Sequence, residues 1–253
     1  RAEVYHSEND FSLAHLSCER AVRIRKIYKD NPKLLGDSYL LLSRIYWKIG
    51  NTAESAHQLH LAEEQYELVD SAIGKASVKL EWAYVFFRTH QFSEAGRTLS
   101  EVQEALQELN EPVLLASTLN LMSRLARVDP RYDDYKEIGY QEADRRGKEA
   151  LQVLGDRDWF VAAEINLTLC ILHYVWGLTL NQKEDIKEAQ KHFSQSRQYN
   201  HQGWDKIEQI NSPMLYSVYR GMQGNLFLQT DDKDKAKLHF LDELVYATQT
   251  KHM

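Results

Sequence analysis

His57 and His60 stand three residues apart in a stretch that reads as helix. An H-x-x-H spacing places two imidazoles on one helix face, where they could form one edge of a metal site. No third ligand at a defined spacing accompanies them, and the pair reads as the polar face of its helix. The run Asp231-Asp232-Lys233-Asp234 concentrates carboxylates but lacks the glycine and the terminal Glu of a calcium loop, so it reads as a turn with a capping role. Cys18 and Cys170 each lie inside an apolar helical pattern, the environment of small buried thiols. They point to a reducing compartment, and the expected location is cytoplasmic. Trp204 follows Gly203 in a stretch, 200–212, that reads as a loop; it is either a contact surface or tucked onto the preceding helices. The chain has no Gly-rich phosphate loop, no G-x-S-x-G elbow and no Cys–His arrangement of recognisable spacing. The expectation is a chain that is not an enzyme and that uses no cofactor and no metal.

Bulk composition is that of a soluble globular chain. The 253 residues are 43% hydrophobic and 27% charged, enough apolar material for a long core. The formal net charge of −6 argues against bulk nucleic-acid binding, although a local basic face is compatible with it. No run approaches the roughly 18 apolar residues of a membrane span, and no signal-peptide pattern opens the chain. The chain begins at Arg1, and residues Ala2 to Ser7 read as the tail of a helix. The expectation is therefore a single domain over 1–253 that is a fragment of a larger protein, with its first hairpin truncated.

The positioning elements are all helical. Asp10 is placed to cap a helix whose stripe is Phe11, Ala14, Cys18, Ala21, Val22 and Ile24, ending at Asp30-Asn31-Pro32. Asp37 to Glu64 reads as helix, tight turn at Lys48-Ile49-Gly50-Asn51, and second helix. Ala76 to Glu104 repeats this around Thr89-His90-Gln91-Phe92. A fourth unit opens after Pro112 and carries about eight extra residues around Arg131 to Ile138, read as a longer turn or helix extension. A fifth has a long aromatic-rich helix from Trp159 to Leu180. A sixth opens at Ser212-Pro213 and turns at Thr230-Asp231-Asp232. Small and large residues recur at matching offsets. The first-helix pairs are Leu42-Ser43, Trp82-Ala83, Met122-Ser123, Trp176-Gly177 and Gln223-Gly224, with Tyr46, Phe86 and Phe227 three positions on from the small residue, where Ala126 and Leu180 depart. The second helices carry Ala14, Ser55, Ala95, Ala143, Ala189 and Ala236, each four residues before Cys18, Leu59, Leu99, Gly147, Phe193 and Phe240. A small residue on one helix admits a bulky side chain from the other, and each hairpin leaves an apolar face that only the next can cover.

This pattern resembles the tetratricopeptide repeat. The resemblance covers nearly the whole chain, with a pitch of 40 to 48 residues between the small second-helix residues, longer than the ~34 of the standard unit. In that respect the chain is similar to the long-repeat regions of maltose-regulator-like activators, Rap-type peptide-responsive regulators and the sensor regions of signal-transducing NTPases. The resemblance implies an all-α fold, an α-solenoid of about six hairpins. It also implies that first-helix residues not used in packing face the concave side. These are Asp37, Leu40, Arg44, Trp47 and Lys48 in the second unit, Ser77, Leu80, Tyr84, Phe87 and Arg88 in the third, and Ser117, Asn120, Arg124, Arg127 and Val128 in the fourth. Arg with Trp, Tyr and Phe is the composition of binding hot spots, and Arg offers a fork for carboxylates. Arg44, Trp47, Lys48, Tyr84, Phe87, Arg88, Asn120, Arg124 and Arg127 are the expected partner-binding residues. The fixed carboxylate clamp of chaperone-binding repeats is not reproduced, because its positions here include Leu40, Arg44, Glu81, Ser117 and Leu121. The implied function is a protein- or peptide-binding scaffold, the sensor or interaction region of a regulatory or signalling protein, taking an acidic or aromatic-containing partner. The alternatives are a small-ligand-sensing helical repeat and, with nucleic acid disfavoured by charge, an RNA-binding one. The sequence leaves the oligomeric state open.

Overall fold

The computed structural model of the chain describes residues 11–27, 31–210 and 212–251, so the helix tail at Ala2–Ser7 and the Asp10 cap lie outside the described residues. Eleven α-helices and one 3-10 helix follow one another there, with no strand. They are α1 (Phe11–Ile27), α2 (Pro32–Lys48), α3 (Thr52–Leu68), α4 (Ala72–Arg88), α5 (Phe92–Leu109), α6 (Pro112–Val128), the 3-10 segment Pro130–Tyr135, α7 (Lys136–Leu154), α8 (Trp159–Gln182), α9 (Ile186–Ile207), α10 (Pro213–Leu228) and α11 (Lys233–Lys251). The chain is an all-α helical repeat of the α-solenoid class, built from consecutive packed pairs. It divides into two compact units, the first running through Leu114 and the second starting at Leu115.

Local chemistry sets the boundaries. Asn31, Asn51 and Ser71 cap α2, α3 and α4 with side-chain oxygens that accept from Lys33, Glu54 and Gly74 backbone N–H groups. Asp158, Asp185 and Ser212 do the same for α8, α9 and α10. Pro32 and Pro112 open α2 and α6. Helix α2 therefore starts at Pro32, earlier than the expected Asp37, because its cap lies further upstream, and α4 starts at Ala72, directly after the Ser71 that the Val69–Ala72 linker offers as a cap.

Four of the hairpin turns close identically. Gly50, His90, Glu184 and Asp231 take left-handed backbone with φ of 84°, 61°, 63° and 57°. In each turn the next residue's N–H bonds to a carbonyl five residues back: Asn51 to Tyr46 (2.8 Å), Gln91 to Phe86 (2.9 Å), Asp185 to Leu180 (3.1 Å) and Asp232 to Phe227 (3.1 Å). This is the long bond of a Schellman-type helix stop. The residues whose carbonyls accept in these turns are the same ones that occupy the aromatic position of the repeat. The fourth hairpin differs: Asp129 caps the 3-10 segment by accepting from Arg131 N–H, and α7 starts only at Lys136.

The small residues admit the large ones as the pattern requires. In the first unit Ser43 and Ser55 hydroxyls meet at 2.9 Å, and Ala95, Leu99 and Ala83 are fully buried. Tyr66 lies across Gly36 and Gly74, where a Cβ on Gly74 would fall 2.3 Å from its ring. In the second unit a Cβ on Gly177 would fall 2.7 Å from Phe193, and one on Gly224 2.5 Å from Phe240. Ser123 donates to the Ala143 carbonyl at 2.6 Å. Cys18 and Cys170 are buried free thiols, and burial pushes Cys170 up to about 11.

Three expectations need correction. Ile24 is exposed rather than part of the α1 core stripe. Residues 200–207 are helix, not loop: α9 continues to Ile207 because Asn200, Gly203 and Ile207 fall on one buried face. Helix α8, at 24 residues, is long and apolar enough to cross a membrane by length and composition. Its apolar surface serves the interior of the second unit, where Ile165, Leu169 and Leu172 are fully buried against neighbouring helices.

Candidate functional site

In the first unit, α2 and α4 carry six of the expected residues. The Arg44 guanidinium Nε donates to Glu81 Oε1 at 2.6 Å. The proximity of Glu81 raises the Arg44 pKa against the opposing effect of burial. Arg44 is thus a positioned cation rather than an open one. Trp47 is the centre of the cluster. Arg88 lies over its ring at 4.5 Å and Lys48 at 5.3 Å, and Tyr84 meets it edge-on with ring centres 6.2 Å apart. The Trp47 indole N–H is buried and has no hydrogen-bond acceptor. Phe87 instead turns to Phe92 at the start of α5, 6.1 Å away. Of the remaining first-helix positions, Leu40, Ser77 and Leu80 are buried and belong to the core.

In the second unit, α6 carries the other three. Asn120 is 3% exposed and lies between the fully buried Leu119 and Leu121, so it is a core amide and not an open contact. Its Oδ1 has no hydrogen-bond donor. Arg127 is partly buried, and its Nε–H has no acceptor. Burial and then the neighbouring Arg124 lower the Arg127 pKa. An uncompensated, partly desolvated cation beside another cation is a position that an anion would stabilise.

The second unit also holds a polar chain that sequence reasoning did not find. On α8, His173 meets Asp144 of α7 through Nε2 (3.1 Å) and His192 of α9 through Nδ1 (2.9 Å, Nδ1 to Nδ1). Lys148 closes on Asp144 at 2.6 Å. The Trp176 ring stacks on His192 at 4.1 Å, and Tyr199 stacks on His173 at 5.4 Å. Burial, followed by His173 and Lys191, pushes His192 down to about 4. A neutral His192 donates from Nδ1, His173 accepts at Nδ1 and donates from Nε2, and Asp144 accepts. Burial alone would raise Asp144, but hydrogen bonds from His173 and Lys148 hold it below the usual carboxylate range. The three residues are 29 and 19 positions apart, and no spacing rule joins them. Among the described residues no group of three His, Cys, Asp or Glu side chains is arranged to hold a metal.

The remaining expectations resolve simply. His57 and His60 are exposed on α3, with His60 beside the Trp82 ring at 5.0 Å. Asp232 caps α11 by accepting from the Lys235 N–H. Trp204 is tucked in rather than open: it packs against the cluster of Ala163 and Ile207 of the fifth hairpin with Leu215 and Tyr219 of α10, its ring meets Tyr216 at 5.3 Å, and it carries Arg220 at 4.1 Å.

No protein-family model matches the chain, and no curated protein matches it by sequence. Solved structures do match in fold. BtubC (BKLC) from P. vanneervenii superposes with a TM-score of 0.57 at 13% identity, over 96% of this chain and 93% of that one. A Rap protein complexed with Competence and Sporulation Factor superposes with a TM-score of 0.59 at 12% identity, over 100% of this chain and 74% of that one. At such identities the likeness establishes the helical-repeat fold that both structures share with this chain.

Proposed function

We propose that the chain is a non-enzymatic protein- or peptide-binding helical repeat of tetratricopeptide type, whose partner is acidic and carries aromatic side chains. The observation that carries this reading is Arg127, a partly buried cation whose Nε–H has no acceptor and whose charge is disfavoured by burial and by Arg124. A partner carboxylate supplies what that position lacks, and a guanidinium takes it in a two-pronged geometry. The Trp47 cluster adds a second element of the same recognition chemistry, since Arg88, Lys48 and Tyr84 around one indole form a cation–aromatic surface. The similarity in fold to a Rap protein solved in complex with Competence and Sporulation Factor supports this reading.

The test is fluorescence anisotropy with a labelled Glu–Tyr copolymer peptide, with a Lys–Tyr copolymer as the comparison. The acidic probe binds and the basic one does not. The double variant Arg88→Glu, Arg124→Glu weakens the acidic probe by roughly tenfold or more while leaving helical circular dichroism unchanged. Equal binding of both probes, or full affinity in the double variant, contradicts the reading.

A further inference from the structure

A cavity of about 330 Å³ lies in the second unit between α9, α10 and α11, on helices that carry none of the residues on which the partner reading rests. Its floor is Leu226 and Phe227, and its rim carries Arg197 and His201 from α9, Arg220 from α10 and His239 from α11. In a chain of net charge −6, no carboxylate lines this cavity among the described residues. Two carboxylates outside the lining pair with it: Asp242 Oδ2 is 3.6 Å from Arg220 Nε, and Asp205 Oδ1 is 3.9 Å from His201 Nδ1.

The rim is built rather than incidental. Arg220 is fixed from below by the Trp204 ring at 4.1 Å. Its Nη1 donates to Gln223 Oε1 at 2.9 Å and to His239 Nδ1 at 3.3 Å. Because a guanidinium only donates, His239 Nδ1 is the acceptor and its proton sits on Nε2, so this ring also offers a donor. His239 stacks flat on Phe227 with centres 5.1 Å apart. Arg220 Nε is buried and has no hydrogen-bond acceptor within range. Apolar lining with several donors and no lining carboxylate is the complement of an anion with an apolar body.

We propose that this cavity binds a small organic monocarboxylate, its apolar body against Phe227 and Leu226 and its carboxylate held by Arg197 and Arg220. The volume is at the lower end of ligand pockets, which run from roughly 300 to 1,000 Å³. It suits a single aromatic or short aliphatic acid rather than a folded segment. The inference is independent of the partner reading, which rests on α2, α4 and α6.

Isothermal titration calorimetry of the full chain with phenylacetate, phenylacetamide and acetate tests it. Phenylacetate binds with a Kd of about 1 mM or tighter, and the neutral amide and the short acid bind at least roughly tenfold more weakly. The variant Arg197→Glu, on the exposed side of α9, keeps its helical signal and loses at least about tenfold in phenylacetate affinity. Absence of phenylacetate binding, equal binding of the amide or of acetate, or an unchanged affinity in Arg197→Glu overturns the proposal.

Discussion

His192 stacks on Trp176 and shares a proton with His173, and burial holds its pKa at about 4, below the ordinary 6.5. The unfolded chain therefore binds more protons than the folded one between these two values. Stability is fully present above about pH 6.5 and falls as the pH drops towards 4. Thermal melts at intervals between about pH 7 and pH 5 should show a falling Tm, and His192→Gln should flatten that slope. An unchanged slope in the variant would show that other groups set it. Gly203 gives a steric test at the same scale. A Cβ there would fall 1.7 Å from the Tyr219 hydroxyl, which donates to the Ala163 carbonyl at 2.6 Å from a fully buried position. Gly203→Ala gains about 1 kcal/mol of helix propensity, but overpacking costs about 1–3 kcal/mol and the buried bond is lost besides. The net effect is destabilisation, read as a lower urea midpoint. The sequence could not show either feature. Gly203 falls in a stretch that reads as loop because its packing partner lies in the next hairpin, and the His173–His192–Asp144 chain is assembled only by helix pairing.

Hairpins were the most legible level. The small–large offsets found the buried pairs Ala95 with Leu99 and Gly177 with Phe193, because close helix approach depends on side-chain volume, which a sequence states directly. Turn position was equally readable through the residue whose carbonyl closes each helix, Tyr46, Phe86, Leu180 and Phe227. Ser71 in the Val69-Asp70-Ser71-Ala72 linker is legible as a cap for α4, whereas the apolar stripe does not reveal the start of α2 at Pro32. Which first-helix residues face outward is the least legible feature: Leu40, Leu80 and Asn120 occupy one offset of the repeat and are all buried, by surrounding helices that the single-helix pattern does not contain. Two changes test the element-level packing. Ala95→Leu places a branched side chain where a fully buried methyl sits and should cost about 1–3 kcal/mol in a thermal melt. Ser71→Ala removes the oxygen that accepts from Gly74 N–H and should cost about 1 kcal/mol.

Across the whole chain, an acidic protein gathers cations at a few places against its net charge. Arg88 and Lys48 flank Trp47 in the first unit, and Arg124 and Arg127 share α6 in the second. Arg44 is excluded from this role by its 2.6 Å bond to Glu81, so partner contact falls to the residues around it. On the proposed function, the buried Arg127 Nε–H is the group that takes a carboxylate of the partner. The direct measurement is the Nε–Hε resonance of Arg127 in a proton–nitrogen spectrum, assigned by its disappearance in Arg127→Lys and followed while the Glu–Tyr copolymer peptide is added. A saturable shift of this resonance, absent with the Lys–Tyr copolymer, is the predicted result. An Arg127 resonance that stays in place while the acidic peptide binds elsewhere would contradict it.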